Sequence, residues 1–332
     1  MPESTASTSF APLSAAFTPT HLKFLNAKLE KLSPEKILEW AMISLPGLIQ
    51  TTAFGPTGLV ILDMINRIHI DQQAAANVHP TPASSSASED EEEDDEATSE
   101  QKRFQKSGYN TRRHPVPLIF IDTLYHFQET SDLAQRVQDH YNIPLKVYKP
   151  LNVETTADFE REYGQNLWET DDVSYDYLVK VEPGRRAYQE LGAQAVISGR
   201  RRSQKGDRAK LEILEVEKGT GLLKLNPLAT WSFQQVWTYL RAYQVPFNVL
   251  LEQGYRSIGD WHSTKPTSNL EDERSGRWEG KQKSECGLHV DYFKMRAEFQ
   301  ATQKKKQALL AAQQAAVQQQ QQEQQPQAVD VC

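Results

Sequence analysis

The sequence predicts an α/β fold, a parallel sheet flanked by helices, and three observations carry that expectation. Short apolar runs of strand length alternate with longer helix-like segments from residue 47 to residue 198, and such alternation builds a parallel sheet through crossover helices. The run Pro117-Leu-Ile-Phe-Ile-Asp122 is apolar at nearly every position, the pattern of a strand buried on both faces. A glycine-bearing turn, Thr51-Thr52-Ala53-Phe54-Gly55-Pro56-Thr57-Gly58, falls between the first such run and the helix after it.

Taken in chain order, Ser33-Pro34-Glu35 marks a helix start, with Pro at the first helical position and an acid in the first turn. Residues 47–53 read as the first strand and residues 59–68 as an apolar helix beyond the glycine turn. Residues 117–122 form the second strand. Helix-like 132–141, strand-like 145–149, helix-like 185–191 and strand-like 195–198 follow. Trp231, Phe233, Val236, Trp237 and Leu240 recur at helical spacing and mark a core face.

The chain of 332 residues is long enough for one large or two small domains. It reads as a single domain over residues 21–300, interrupted by an acidic insertion at 71–107. That insertion and residues 1–20, rich in Ser, Thr, Ala and Pro, hold too little apolar surface to offset their ordering entropy, so both are expected to be disordered. Residues 301–332 are a glutamine-rich tail, read either as an extension of the helix begun near Tyr292 or as disordered.

The net charge of −7 belongs mainly to one place, because residues 89–96 hold eight of the 44 acids and the rest of the chain is close to neutral. This balance argues against a polybasic nucleic-acid binder and against a membrane protein. The longest strongly apolar stretch, residues 59–65, is short and interrupted by Asp63. Two cysteines, Cys286 and Cys332, are too few for a secreted disulfide framework or for the four thiolates of an iron–sulfur cluster. With no basic leader or arginine-rich transit segment near Met1, the expected setting is reducing and cytoplasmic.

Four segments are candidates for chemistry. Glycines in the Thr51–Gly58 turn admit an anion to backbone N–H groups at a helix N-terminus, with Thr52 and Thr57 as hydroxyl donors. The turn reads equally as an ordinary βα connection. Asp122 ends the second strand at the carboxyl edge of the sheet, where open α/β sheets bind ligands, or it caps a turn. Arg200, Arg201 and Arg202 follow a strand on that same side. They are suited to bidentate bonds with phosphate or sulfate, or they form a solvated basic loop. Near the C-terminus, Glu273-Arg274-Ser275-Gly276-Arg277-Trp278 precedes Lys281-Gln-Lys283-Ser-Glu-Cys286-Gly-Leu-His289. A thiolate is a good nucleophile, and neighbouring cations raise its anionic fraction. A buried Cys packing as a small apolar residue is the other reading. His114, His126, His140 and His262 lack a zinc-type spacing, and no metal site is expected.

Lys283-Ser-Glu-Cys286-Gly-Leu-His289 resembles the Lys-Thr-Glu-Cys-Gly-(Ile/Leu)-His signature of assimilatory 3′-phosphoadenylylsulfate (PAPS) reductases, with Ser284 where Thr is common. The Thr51–Gly58 turn, Ile121-Asp-Thr-Leu-Tyr-His-Phe-Gln-Glu-Thr130, the segment at 198–204, Tyr255-Arg-Ser-Ile-Gly-Asp-Trp-His-Ser-Thr264 and Glu273–Trp278 agree in the same order. The resemblance, to the fungal-like and thioredoxin-dependent branch, implies an adenine nucleotide α-hydrolase-like fold of PP-loop type with a flexible C-terminal active-site tail. It implies attack of Cys286 on the sulfur of PAPS, an S-sulfocysteine, and release of sulfite by reduced thioredoxin as electron donor. By the same resemblance, Thr52, Gly55, Thr57 and Gly58 shape the phosphate loop and Asp122 lies by the nucleotide. Arg200, Arg201 and Arg202 contact phosphate and sulfate, while Arg274, Arg277 and Lys283 bind substrate from the tail that closes over it, and His289 in that tail supports the nucleophile. It also implies a homodimer with neither nucleic acid nor membrane as partner. No iron–sulfur cluster is expected, since the cysteine pairs of cluster-bearing adenylylsulfate reductases are absent. An ATP pyrophosphatase of the same fold and a non-catalytic nucleotide-binding scaffold are the rival readings.

Overall fold

Six strands form one sheet in the order β3-β2-β1-β4-β6-β5. They are β1 (Leu48–Thr52), β2 (Leu118–Ile121), β3 (Leu145–Tyr148), β4 (Ala195–Ile197), β5 (Leu214–Val216) and β6 (Leu223–Leu225). The computed structural model describes residues 13–77, 114–217, 220–268, 272–280, 283, 285–289 and 291–323. All pairings are parallel except the edge pair β5–β6. β1 lies between β2 and β4, with Gln50 in register with both Leu118 and Ile197. The chain thus winds outward in both directions from β1. In such a sheet the crevice at the carboxyl ends of the strands where winding reverses is the ligand site.

Alternate strand residues enter two different cores. Leu48, Leu118, Phe120, Ala195 and Ile197 face a large cluster with α2 (Pro34–Ser44), α3 (Pro56–Asn77), α4 (Gln128–Tyr141) and α9 (Phe233–Ala242). Ile49, Ile119, Ile121 and Val196 face the opposite side, against Ala187 of α8 (Glu182–Glu190). This period of two, with both faces apolar, is why the strands read as continuous hydrophobic runs. Between β3 and α8 the chain forms three short helices, α5 (Thr156–Tyr163), α6 (Leu167–Thr170) and α7 (Asp172–Asp176), then one π-helical turn (Tyr177–Val181). Tyr125, Phe159, Trp168 and Tyr175 form their shared aromatic core. Val236 and Leu240 of α9 are fully buried, while Trp231, Phe233 and Trp237 are only partly so.

Two expected boundaries shift. α3 runs on to Asn77 and takes in residues 71–77, which composition assigned to the insertion. Gln and Ala there are strong helix formers, and helical propensity outweighs low hydrophobicity. Residues 78–107 lie outside the described residues. Likewise Leu13–Ala16 form a 3₁₀ turn and α1 (Pro19–Leu29) begins inside the expected N-terminal disorder, capped by Thr18 Oγ1, which accepts from the His21 N–H at 3.2 Å. Residues 1–12 are not described. The glutamine-rich segment continues α10 (Tyr292–Glu323) as a helix.

Candidate functional site

The turn after β1 is braced from beneath. Gln50, 1% exposed in the middle of the strand, donates from Nε2 to the Gly58 carbonyl at 2.7 Å. Thr52 Oγ1 accepts the Phe54 N–H at 2.8 Å, closing a tight turn. Phe54 adopts φ 54°, a left-handed conformation costly for a bulky side chain. Burial of its ring edge-on against Phe120, 5.1 Å between centroids, holds it there. The turn then delivers Thr57 and Gly58 into the first turn of α3, whose N–H groups have no helical partner and whose dipole favours an anion.

A cavity of about 240 Å³ opens at this point, at the carboxyl ends of β1, β2 and β4. Thr52, Gly55, Thr57, Gly58, Arg200, Arg201, Arg274, Arg277 and Cys286 all line it, so residues 52–58, 200–201, 274–278 and Cys286 converge as the sequence segments required. Eight cationic side chains and one acid, Asp260, contribute to its wall. Ala53, Ile121, Val196, Ile258 and Leu288 supply an apolar portion suited to a planar base. Cys286 is half-buried in a wall that it shares with Lys180, Arg274 and Arg277.

The three consecutive arginines have three different positions. Arg200 faces the cavity, its Nη2 donating to Glu215 at 2.6 Å and its Nε to Ser198 Oγ at 3.2 Å. Arg201 is wholly buried. It is bidentate to Glu273, and its Nε donates to Thr57 Oγ1 at 2.9 Å, so it fixes the phosphate turn from behind. Arg202 turns away, donating to the Leu211 carbonyl at 2.7 Å and pairing with Glu30 of the loop after α1. The expectation that Arg202 reaches the anionic groups is therefore corrected. Its side chain leaves the opposite side of an extended backbone at Arg201. Asp122 is also displaced: its carboxylate accepts the Leu124 N–H at 2.9 Å, an Asx turn, and Thr123 lines the cavity in its place. Lys283, expected to bind substrate, instead lies behind the wall, 2.7 Å from Asp176 Oδ2, because that buried carboxylate draws the ammonium inward. His289 falls in a short 3₁₀ turn, Gly287–His289, and its side chain is not among those described.

Several site residues were not singled out from the sequence. Arg208, Lys224 and Arg256 add charge to the cavity, and the buried Arg256 Nε and Arg277 Nε have no hydrogen-bond partner among the described residues. Buried donors are normally satisfied, so these point to an anionic occupant. Burial holds Arg277 below the ordinary arginine pKa and Arg274 at about 10, the nearby Arg208 adding to the latter, yet both stay charged at neutral pH. Below the cavity, Asp260 accepts from Thr123 Oγ1 at 2.6 Å and from Lys180 Nζ at 2.7 Å. Burial alone would raise its pKa, but Lys180 and His126 outweigh that and hold the carboxyl below its usual value. Lys180 is held above the ordinary lysine value because Asp176 and Asp260 together outweigh its burial. Lys180 stands alone in an apolar run and Asp260 between Gly and Trp. Those contrasts were the available signals.

His114 bonds the Val116 carbonyl at 2.7 Å, His126 the Ile121 carbonyl at 3.1 Å, and His262 stacks on Trp168 at 4.2 Å. No group of three or more His, Cys, Asp or Glu suited to a metal occurs among the described residues. No helix among them is long and apolar enough to cross a membrane.

A doubly wound sheet with a phosphate-type turn, a strongly cationic cavity and a thiol in its wall defines a polyanion-binding α/β protein equipped with a nucleophile. Residues 47–266 match the phosphoadenosine phosphosulfate reductase domain, and the chain belongs to that family. It is 44% identical over 274 residues to the phosphoadenosine phosphosulfate reductase of Emericella nidulans, covering 82% of this chain and 76% of that one. It is 42% identical over 278 residues to the Saccharomyces cerevisiae enzyme, covering 82% and 90%. The crystal structure of phosphoadenylyl-sulfate reductase from Candida auris, a phosphate complex, superposes with a TM-score of 0.57 at 42% identity, over 75% of this chain and 98% of that one. The fold is thus the adenine nucleotide α-hydrolase-like arrangement that the motifs implied.

Proposed function

We propose that the protein is a thioredoxin-dependent reductase converting PAPS to sulfite and adenosine 3′,5′-bisphosphate, using Cys286 as nucleophile. The observation that carries this reading is the convergence of Cys286 with eight cationic side chains in one cavity, two of them with an unpartnered Nε. The substrate bears a 3′-phosphate and a 5′-phosphosulfate, and the excess of arginine matches both. The Cys286 thiolate attacks the sulfur, the S–O bond to the 5′-phosphate breaks, and the electron pair leaves on the phosphate oxygen beside the arginines. Cys286 then carries the sulfonate. A thioredoxin thiolate attacks Cys286 Sγ, sulfite departs with the electron pair of the S–S bond, and the second thioredoxin thiol resolves the mixed disulfide. No step uses an iron–sulfur cluster. A homodimer in the cytoplasm, free of membrane and nucleic acid, completes the reading.

Incubating the protein with PAPS and no reductant should leave a sulfonate on the Cys286 peptide by mass spectrometry. Adding reduced thioredoxin should then release sulfite. Folded protein that yields neither would overturn the proposal.

A second expectation concerns how Arg277 is seated. A Cβ on Gly259 would lie 2.3–2.7 Å from the Arg277 guanidinium, inside contact distance. Gly259→Ala should displace that guanidinium and raise the KM for PAPS by about tenfold, the loss of one charge-assisted bond. The unfolding midpoint should stay near wild type. An unchanged KM would show that Arg277 does not contact the substrate.

A further inference from the structure

Cys286 sits in a segment whose neighbours are tied to the domain by ion pairs of opposite sign. Lys283 Nζ lies 2.7 Å from Asp176 Oδ2 and 3.8 Å from Asp172 Oδ2. Two residues on, Glu285 receives Arg208 in a fork, Nη2 donating to Oε2 at 2.6 Å and Nε to Oε1, with Arg274 at 3.6 Å. Two residues further, the Gly287 N–H donates back to Asp176 Oδ2 at 3.0 Å. Lys224 Nζ then donates to the Leu288 carbonyl at 3.3 Å.

The spacing matters. Residues 283, 285 and 287 make the attachments, and Cys286 between them lines the cavity. The attachment points are well separated in the chain, Asp176 ending α7 and Arg208 lying in the loop before β5. Each prefers one charge: Asp176 takes Lys283, and Arg208 takes Glu285. Sliding the segment by two residues would set Glu285 against Asp176, a repulsive arrangement, so the charges fix the register. Both pairs are sheltered, with side-chain exposures of 3% for Asp176, 16% for Lys283, 9% for Arg208 and 11% for Glu285. Such pairs are directional, and losing one partner leaves a sheltered charge uncompensated. Glycine at 287 permits the close approach, since a Cβ there would meet Val181 at 2.7 Å and Asp176 Cβ at 3.2 Å.

We propose that Asp176 and Arg208 are positioning residues that form an ionic clasp on Lys283, Glu285 and Gly287, holding Cys286 toward the cavity and limiting its contact with solvent. This rests on Cys286 being the nucleophile, but the clasp is readable from thiol reactivity without turnover.

The test uses the full chain with Cys332→Ser, so that Cys286 is the single thiol, and measures its alkylation by iodoacetamide without nucleotide as the limiting rate at high pH, where the thiol is ionised in every variant and loss of a neighbouring cation no longer alters the thiolate fraction. Glu285→Gln, Lys283→Met and Arg208→Met should each accelerate alkylation by about tenfold. Lys283→Arg should retain the parent rate. The Arg208→Met/Glu285→Gln double variant should react no faster than the faster single, because both remove one interaction. Lys265→Met, which breaks the exposed Lys265–Glu279 pair, should change nothing. In turnover, Glu285→Gln should lower kcat with KM for PAPS near wild type. If Arg208→Met fails to fold, the two tail variants still decide. Unchanged alkylation in folded Glu285→Gln and Lys283→Met, or strictly additive effects in the double variant, would overturn the clasp even if wild type forms the sulfonate adduct. Accelerated alkylation without any adduct in wild type would uphold the clasp and remove the nucleophile assignment instead.

Discussion

Cys286→Ser is expected to lower sulfite formation by roughly four orders of magnitude or more, the usual consequence of removing a covalent nucleophile. A serine hydroxyl at neutral pH is scarcely ionised, and an oxygen–sulfonate formed on it offers a thioredoxin thiol no sulfur–sulfur bond to exchange. Affinity for adenosine 3′,5′-bisphosphate should hardly change, because Arg200 and Arg256 stand on parts of the chain distinct from the cysteine segment. Titration calorimetry with that nucleotide and a sulfite assay with reduced thioredoxin together decide the matter. A variant that binds and does not turn over fits the proposal. A variant that still releases sulfite at the wild-type rate would show that Cys286 is not the nucleophile.

The parts of this site that were legible in the sequence are those that a short stretch of chain determines by itself. The turn at 51–58 needs glycine and threonine in a fixed order between a strand and a helix, and local backbone geometry repeats that order directly. The central strands were visible because both faces of β1, β2 and β4 are buried, which forces unbroken apolar runs. β5 and β6 were not visible. Leu-Glu-Val and Leu-Lys-Leu are three residues each, and their polar members, Glu215 and Lys224, reach the cavity region from the sheet edge. The network joining Asp176, Lys180, Asp260 and Lys283 contains one pair at helical spacing, Asp176–Lys180, but its links to Asp260 and Lys283 span up to 107 positions, from 176 to 283, and form through tertiary packing. No spacing rule registers those long-range links.

The arginine run shows the same limit within three residues, and it leads to the second large expected effect. Composition treats Arg200, Arg201 and Arg202 alike, yet Arg201 has no exposed surface, and its guanidinium is committed to Glu273, Thr57 and Ser203. Arg201→Ala leaves the buried Glu273 carboxylate without its counter-charge and Thr57 without its donor. Breaking a buried pair from one side costs about 3–5 kcal/mol, so urea unfolding of Arg201→Ala should show that loss. Arg200→Ala should behave in the opposite sense. Its partner Glu215 is 31% exposed on the side chain and is rehydrated readily, so stability should fall by no more than about 1 kcal/mol. PAPS affinity should fall by more than about 1 kcal/mol, the worth of a charge-assisted bond. The double variant Arg201→Met/Glu273→Leu separates charge from packing, since replacing both partners by apolar groups removes the uncompensated carboxylate. It should regain most of the stability while nucleotide binding stays weak, because Thr57 still lacks the bond that aims the phosphate turn. An Arg201→Ala protein with a wild-type unfolding midpoint would show that the Arg201–Glu273 pair does not form, and Arg201 would then return to the cavity as a ligand contact.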